Sequence, residues 1–503
     1  MTNHQHSLKP FGLRDKIGYL FGDFGNDFTF ILSSSFLLKF YTDVMGVSAA
    51  VVGLIMMLAR FVDGFTDVTM GRICDRSKTT AHGKFKPWLL KMCGPVALSS
   101  FLIYQSAFKD SAMWFKITWL VITYILWGSI FYTSINIPYG SMASAISPDP
   151  SDRQSLSTYR TMGATIAGTI IGVVVPLVVY ENKVIDGTEV AVMQGGRFTV
   201  VAGILSLLAI AGYLLCYYLT TERVRPQEDA RHRRQQHVGK LLLRAVKNRA
   251  LLSIVVASVV MLLAQLTMQQ MANYVYPNYY GNPAAMSVST LAMMAGMIVA
   301  AAIAKPLARK FGKAEISVVS NLVAAGICFL LFLLSPKNVW VFVVLNLLSW
   351  FGLGIFSMVN WALITDVIDD SELQNGIRED GSIYALYSFA RKLGQAASAG
   401  LVGILLQLVG YSDATAFDPS VTQSIFNIST LVPAFGFAAL ALILWFWYPL
   451  HKKRVDRNVE LLQEKRKQTE QIATKHPDVN ASVSAEPNAE LAQPAKQKTK
   501  PKK

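Results

Sequence analysis

The chain is poor in charge: 16% of its 503 residues are Asp, Glu, Lys or Arg, while 52% are hydrophobic. A soluble protein of this length must cover its surface with polar groups, and too few are present, which excludes an ordinary globular enzyme. Cysteine is scarce too. Cys74, Cys93, Cys216 and Cys328 lie in or beside apolar runs without paired spacing, so they read as packing residues and argue against a disulfide framework or a thiolate metal site. Histidine is missing from the apolar runs, since positions 4, 6, 82, 232, 237, 451 and 476 all fall outside them. Proton chemistry inside those runs is left to carboxylates. Each Gly-Lys, at 83, 239 and 312, is followed by Phe, Leu or Ala where a phosphate-binding loop needs Ser or Thr, which argues against an ATP-driven pump. The polar start MTNHQHSLKPFGLRDK has no small-residue cleavage site, so the first apolar run is expected to stay in the mature chain.

What the chain has in abundance is long apolar runs, at a mean hydropathy of +0.37. Each is close to the roughly 20 residues that cross a hydrocarbon core of about 30 Å. About twelve spans are expected, centred near residues 30, 58, 97, 130, 168, 208, 260, 294, 324, 350, 396 and 437. In lipid each must satisfy its own backbone, so the predicted fold class is all-α: a polytopic membrane protein of two six-helix bundles. The +15 net charge is concentrated in alternate connections: Lys9, Arg14 and Lys16; Arg72 to Lys86; Arg223 to Arg249; and Lys452 to Arg457. This pattern sets topology and contact with anionic lipid, placing both termini in the cytoplasm of a bacterial-type plasma membrane and giving no reason to expect a nucleic-acid partner.

The predicted organisation is a cytoplasmic N-terminus over 1–16, a first bundle over 17–221, a basic middle loop over 222–249, a second bundle over 250–449 and a basic tail over 450–503. Six spans on either side of a basic loop is the layout of a transporter with repeated halves. The start of the tail, LHKKRVDRNVELLQEKRKQTEQIATK, suits an amphipathic surface helix, and the remainder has a disordered composition.

The chemistry lies in charges inside the spans. In RFVDGFTD, Arg60, Asp63 and Asp67 follow i, i+3, i+7 spacing and share one helix face, with Thr66 beside them. In GDFGNDF, Asp23 and Asp27 are four apart with Asn26 between. Arg160, Arg391 and Lys392 supply opposing cations. A charge at the bilayer centre costs about 2.5–3.5 kcal/mol on insertion scales, so such residues either hold helices together or carry function. Two carboxylates in a partly dehydrated site repel, and a proton or a small hard cation such as Na+ relieves that; Asp63 and Asp67 are therefore the candidate Na+ or H+ site. Around them stand Tyr132, Thr133, Asn136 and Tyr139 in span four, Gln265, Gln269 and Asn273 in span seven, Trp350 and Trp361 in span ten, and Tyr384, Tyr387, Ser388 and Gln395 in span eleven. Hydroxyls and amides beside flat aromatic faces suit a polyhydroxylated ligand, although each group alone also serves as an interhelical hydrogen bond.

These motifs, together with GKFKPW, TYILWG, INIPYGSM, TDVIDDSE and YSFARKLG, resemble the glycoside, pentoside and hexuronide cation symporters of the major facilitator superfamily, over nearly the whole chain to about residue 450. The resemblance implies import of a sugar coupled to Na+ or H+ through alternating access, with no cofactor, and a monomer as the functional unit. It places the coupling cation on Asp63 and Asp67, with Thr66, Thr133 and Lys392, and the sugar on Asp27, Tyr132, Asn136 and Arg160; the residue pattern itself adds Asp23, Asn26, Ser388 and Trp361 as sugar candidates. Two positions depart from melibiose permease, the best-known member. Asn136 stands where it has a sugar-binding carboxylate and Gly140 where it has Trp, so a different hydroxyl pattern is read here.

Charged groups near the cytoplasmic ends, Asp75, Arg76, Arg153, Asp366, Asp369, Asp370, Glu372 and Arg378, are candidates to pair across an inner gate. The rival functions are a membrane enzyme using the aspartates as acids, and a sugar receptor or uniporter that binds without cation-driven accumulation.

Overall fold

The structure, a computed structural model, describes residues 10–185, 188–224, 248–375 and 380–475. The middle-loop segment 225–247 and the tail beyond 475, expected to be basic and disordered, lie outside the described residues, as does Arg378. The membrane-length helices are α1 (Leu13–Asp43), α2 (Ala49–Arg76), α3 (Lys86–Ile103), α4 (Met113–Ile146), α5 (Pro150–Val179), α6 (Gly195–Leu219), α7 (Arg249–Tyr279), α8 (Pro283–Phe311), α9 (Lys313–Leu334), α10 (Val339–Asn375), α11 (Asp380–Leu408) and α12 (Pro419–Trp447). Every expected span centre falls inside its helix. Ten of these helices are apolar enough to cross a membrane by composition alone. The two that are not, α1 and α11, carry GDFGNDF and ARKLGQAASAG, the segments with intramembrane charge.

Helix starts follow the sequence. Asp149 and Asn282 each precede a proline at the first helical position, and their side chains accept backbone N–H groups of Ser151 and Ala285. At the end of the molecule where α1 begins and α12 finishes, Glu222 accepts the N–H groups of Lys84, Phe85 and Lys86 at 2.7, 2.9 and 2.7 Å, and Arg223 pairs with Asp15 at 2.8 Å. This clasp ties α1, α3 and the end of α6 together.

The all-α expectation needs one addition. Between α5 and α6 an antiparallel hairpin pairs β1 (Tyr180–Ile185) with β2 (Thr188–Met193). Two alternating stretches around Asp186-Gly187 were the available signal for it. The tail helix α13 (Lys452–Lys475) is anchored to α10, where Asp370 accepts from Arg454 at 3.1 Å and from Asn458 at 2.9 Å.

Helices α1–α6 and α7–α12 form the two bundles. They meet through α2 against α11 and α5 against α8, and through α1 against α7. The contacts concentrate at the end opposite the termini. There the buried apolar residues of the first bundle run without a break into Met271, Tyr276, Phe342, Val402 and Phe426 of the second, while the remaining core of the second bundle is separate. Association in lipid depends on close packing rather than on hydrophobic drive. Gly53 and Gly403 provide it: a Cβ on Gly403 would sit 2.5 Å from the Ala49 carbonyl oxygen. At the other end the helices separate. The buried cores of the two bundles are separate there, and Arg160 of α5, Trp361 of α10 and Lys392 of α11 are partly exposed at the cleft between them.

Candidate functional site

On α2 the charged stripe faces α4 and α11. Arg60 donates to Asp63 at 3.2 Å and its guanidinium lies 4.9 Å from the Phe30 ring centre. The other oxygen of Asp63 accepts from the Ser129 hydroxyl at 2.6 Å. Asp67 accepts from the Thr133 hydroxyl at 3.0 Å and forms an ion pair with Lys392 of α11. Both carboxylates are largely buried, at 13% and 17% exposure. Thr66 turns its hydroxyl back to the Asp63 carbonyl, 3.2 Å away. Ser129 was not foreseen from the sequence. It reaches Asp63 because Leu126–Tyr132 forms a π-helical turn within α4, which rotates the residues before Thr133 relative to a regular helix.

On α1, Asp23 takes a bond from Arg160 Nε at 2.9 Å, and the Arg160 guanidinium covers the Tyr139 ring at 5.1 Å. Tyr139 and Tyr19 stack and each donates to the other's backbone carbonyl. Gly140 has a structural consequence here: a Cβ at that position would lie 3.7 Å from Arg160 Nη1, so the space a larger residue would fill is next to the guanidinium. Asn26 accepts from Tyr213 at 2.8 Å and donates to Asn136 at 3.4 Å. Tyr132 stacks on Phe30 and lies against Trp127. Asp27 is half-buried and, among the described residues, has no hydrogen-bond or ion-pair partner.

The second bundle contributes a different surface. Trp361 is 42% exposed and meets Tyr387 edge to face, while the Tyr387 hydroxyl is held by Asn360 at 2.5 Å. Arg391 lies over Trp361 at 5.7 Å, and Ser388 is half-buried one turn before Lys392. Trp350 packs into the core of the second bundle instead of facing the cleft.

The structure thus brings Asp63, Asp67, Thr133 and Lys392 together, and separately Asp23 with Arg160 and Asn26 with Asn136. Two of the candidate gate residues are paired within one half rather than across the halves. Asp366 pairs with Lys313 at 2.5 Å and Asp370 with Arg454, both inside the second bundle and its tail; Asp75, Arg76 and Arg153 are exposed, and Asp369 and Glu372 are half-buried. The sequence reading also missed Lys39, which is 1% exposed at the sealed end. It pairs with Asp43 at 2.6 Å and donates to Asn278 at 2.6 Å and Tyr411 at 2.7 Å.

Against known proteins, a family model described as MFS/sugar transport protein matches residues 18–452. An uncharacterized symporter, YjmB, of Bacillus subtilis is 30% identical over 91% of this chain and 96% of its own length. A glucuronide carrier protein homolog of Escherichia coli is 29% identical over 91% of this chain and 97% of its length. Among solved structures, the nucleoside transporter NupG aligns over 87% of this chain and 99% of its own with a TM-score of 0.57 at 15% identity, a likeness of fold. With this fold, and with paired carboxylates on α2 facing a cleft between two bundles, the chain belongs to the MFS/sugar transport protein family.

Proposed function

We propose that the protein imports a glycoside together with one small cation, and that Asp63 and Asp67 bind the cation. The observation that carries this reading is that two carboxylates on one turn of α2 each face a hydroxyl from α4, Ser129 and Thr133, at hydrogen-bond distance. Carboxylate and hydroxyl oxygens are a hard donor set suited to Na+, and either carboxylate alone accepts a proton. Lys392, paired with Asp67, occupies the place of cargo charge: an arriving cation must displace its ammonium, and a departing one is replaced by it. That exchange keeps the buried pair neutral at every step, which low-dielectric surroundings require.

With the basic connections in the cytoplasm by the positive-inside rule, this is the inward-open state, sealed outside and ready to release cargo. Asp27, Asn26 and Asn136 from the first bundle, with Trp361 and Ser388 from the second, are the proposed sugar contacts. Rocking of the bundles about this midplane site would expose it alternately, and because cation and sugar share the first bundle, each should raise the other's affinity by the same factor. The family and its structural neighbours are transporters, and nothing favours a receptor or an enzyme. The glucuronide in the name of the carrier relative supports reading the cargo as a glycoside.

The test is uptake into proteoliposomes with a Na+ gradient and a proton gradient imposed separately. Asp63→Asn and Asp67→Asn should abolish accumulation against the gradient while sugar exchange without a gradient persists. Full accumulation in both variants would remove the cation role from α2.

A further inference from the structure

Among the described residues, charges that reach the cleft within the spans balance by number, four carboxylates (Asp23, Asp27, Asp63, Asp67) against four cations (Arg60, Arg160, Arg391, Lys392), but not by pairing. Asp23 is held by Arg160, Asp63 by Arg60 and Asp67 by Lys392. Two are left over, Asp27 on the first bundle and Arg391 on the second. Among the described residues Arg391 has no carboxylate partner; of the four acids that α10 carries beyond Trp361, Asp366 is taken by Lys313 and Asp370 by Arg454, and Asp369 and Glu372 have contacts of their own.

Arg391 and Lys392 are neighbours about 100° apart around α11, so they cannot serve the same partner. Lys392 turns to α2, and the Arg391 guanidinium lies over Trp361 at 5.7 Å, with Tyr387 at 6.0 Å. A cation–π contact of this kind returns less than a charge at membrane depth costs, so it does not by itself account for the cation. A guanidinium that engages aromatic rings by its face keeps its N–H donors, which lie at the edge, available to an acceptor. That edge is a fork matched to two oxygens of one anionic group. The aromatic support is fixed: Tyr387 is fully buried, and its hydroxyl is held by Asn360.

We propose that Arg391 is a specificity-determining residue that binds the acidic group of an anionic sugar, a carboxylate or a sulfonate, while Asp27 on the opposite bundle accepts from hydroxyls at the sugar's other end. This rests on the sugar-symport reading above and narrows it. A neutral sugar leaves Arg391 without a counter-charge. An anionic one completes the pairing and orients the ring across the cleft, with its acid toward α11.

The experiment is exchange in proteoliposomes of the full chain with no ion gradient, comparing matched probes: methyl glucoside and methyl galactoside against methyl glucuronide and methyl galacturonide. The expected result is exchange of at least one uronide roughly tenfold or more above its neutral twin. In Arg391→Gln that ratio should fall by about tenfold or more, to near parity, mainly through a higher KM for the uronide, and Arg391→Lys should retain part of it. Size-exclusion profiles matching wild type for both variants separate a binding loss from misfolding. The proposal is overturned if the neutral twin is preferred by wild type, or if Arg391→Gln lowers both twins alike, as expected were Arg391 only a partner for Asp27 in a closed state. If no sugar of either kind exchanges, the sugar-carrier reading falls and takes this inference with it.

Discussion

The two ends of the molecule satisfy their polar groups in opposite ways. At the sealed end the bonds cross between bundles: Lys39 of α1 reaches Asn278 at the end of α7 and Tyr411 after α11, Asn273 donates to the Ser35 carbonyl at 2.8 Å, and Ser287 donates to the Val173 carbonyl at 2.8 Å. At the open end two ion pairs stay within a bundle, Arg223 with Asp15 on one side and Lys313 with Asp366 on the other, and among the described residues the ion pair that still joins the bundles beyond the seal is Asp67 with Lys392 at the candidate cation site. The seal is therefore maintained by interactions that opening must break. The open end is held apart by charges that already have partners, so a gate formed there must compete with those partners. Alternation becomes an exchange between two sets of polar contacts of similar strength, a requirement for a carrier whose two states differ by only a few kcal/mol.

The largest expected effect is at Lys39. Removing one partner from a buried charge pair costs about 3–5 kcal/mol, because the other, here Asp43, loses its counter-charge and keeps only the hydroxyls of Thr42 and Tyr411. In Lys39→Met this cost falls mainly on the sealed state, since opening would let water reach Asp43. A cysteine probe at Ser35, which is 8% exposed in the seal, should become reactive to a membrane-impermeant thiol reagent at a rate at least tenfold higher. Replacing Asp43 by Leu as well should restore much of the protection. An unchanged rate in Lys39→Met would show that the seal rests on apolar packing alone.

Packing is tested next at Gly403. A Cβ there would lie 2.5 Å from the Ala49 carbonyl oxygen and 2.9 Å from Gly53 Cα, both backbone atoms that cannot rotate away. Overpacking of this kind costs about 1–3 kcal/mol. Gly403→Val should push α2 and α11 apart at the sealed end, raising reactivity at the Ser35→Cys probe by roughly five- to a hundredfold and slowing uptake. Gly326, where a Cβ meets nothing within 4 Å, is the control: Gly326→Ala should change neither.

Much of this arrangement was legible in the sequence. Span positions follow from apolar runs, and the α2 stripe from its spacing, because lipid leaves little alternative for either. Charge balance offered Lys392 as one of several possible partners for the α2 carboxylates, and the structure pairs it with Asp67. What escaped depends on geometry that spacing does not encode. Ser129 faces Asp63 only because Leu126–Tyr132 is wound as a π-helical turn, and under regular periodicity it would point elsewhere. Lys39, in SSSFLLKFY close to the end of a span, reads as a lysine extending to the membrane surface. Its burial depends on Asn278 and Tyr411, more than two hundred positions away. The division of polar contacts into a cross-bundle set and a within-bundle set is likewise a property of one conformation.

The smallest effect, and the one with opposite sign, is expected at Arg76. It is exposed at the open end of α2, so Arg76→Gln removes nothing that holds this state together. If Arg76 pairs across the gate when the open end closes, its loss weakens only the alternative state. A pair of that kind near the surface is worth about 0–1 kcal/mol. Reactivity at the Ser35→Cys probe should then decrease, by up to about fivefold, where Lys39→Met increases it. Combining the two substitutions distinguishes a true exchange between ends from two independent effects: with one two-state equilibrium the logarithms of the changes add, because the residues lie at opposite ends and share no partner. Failure to add, or a rise in reactivity with Arg76→Gln alone, would mean that the open end contributes to this state and that the contrast between the two ends is not what sets the balance.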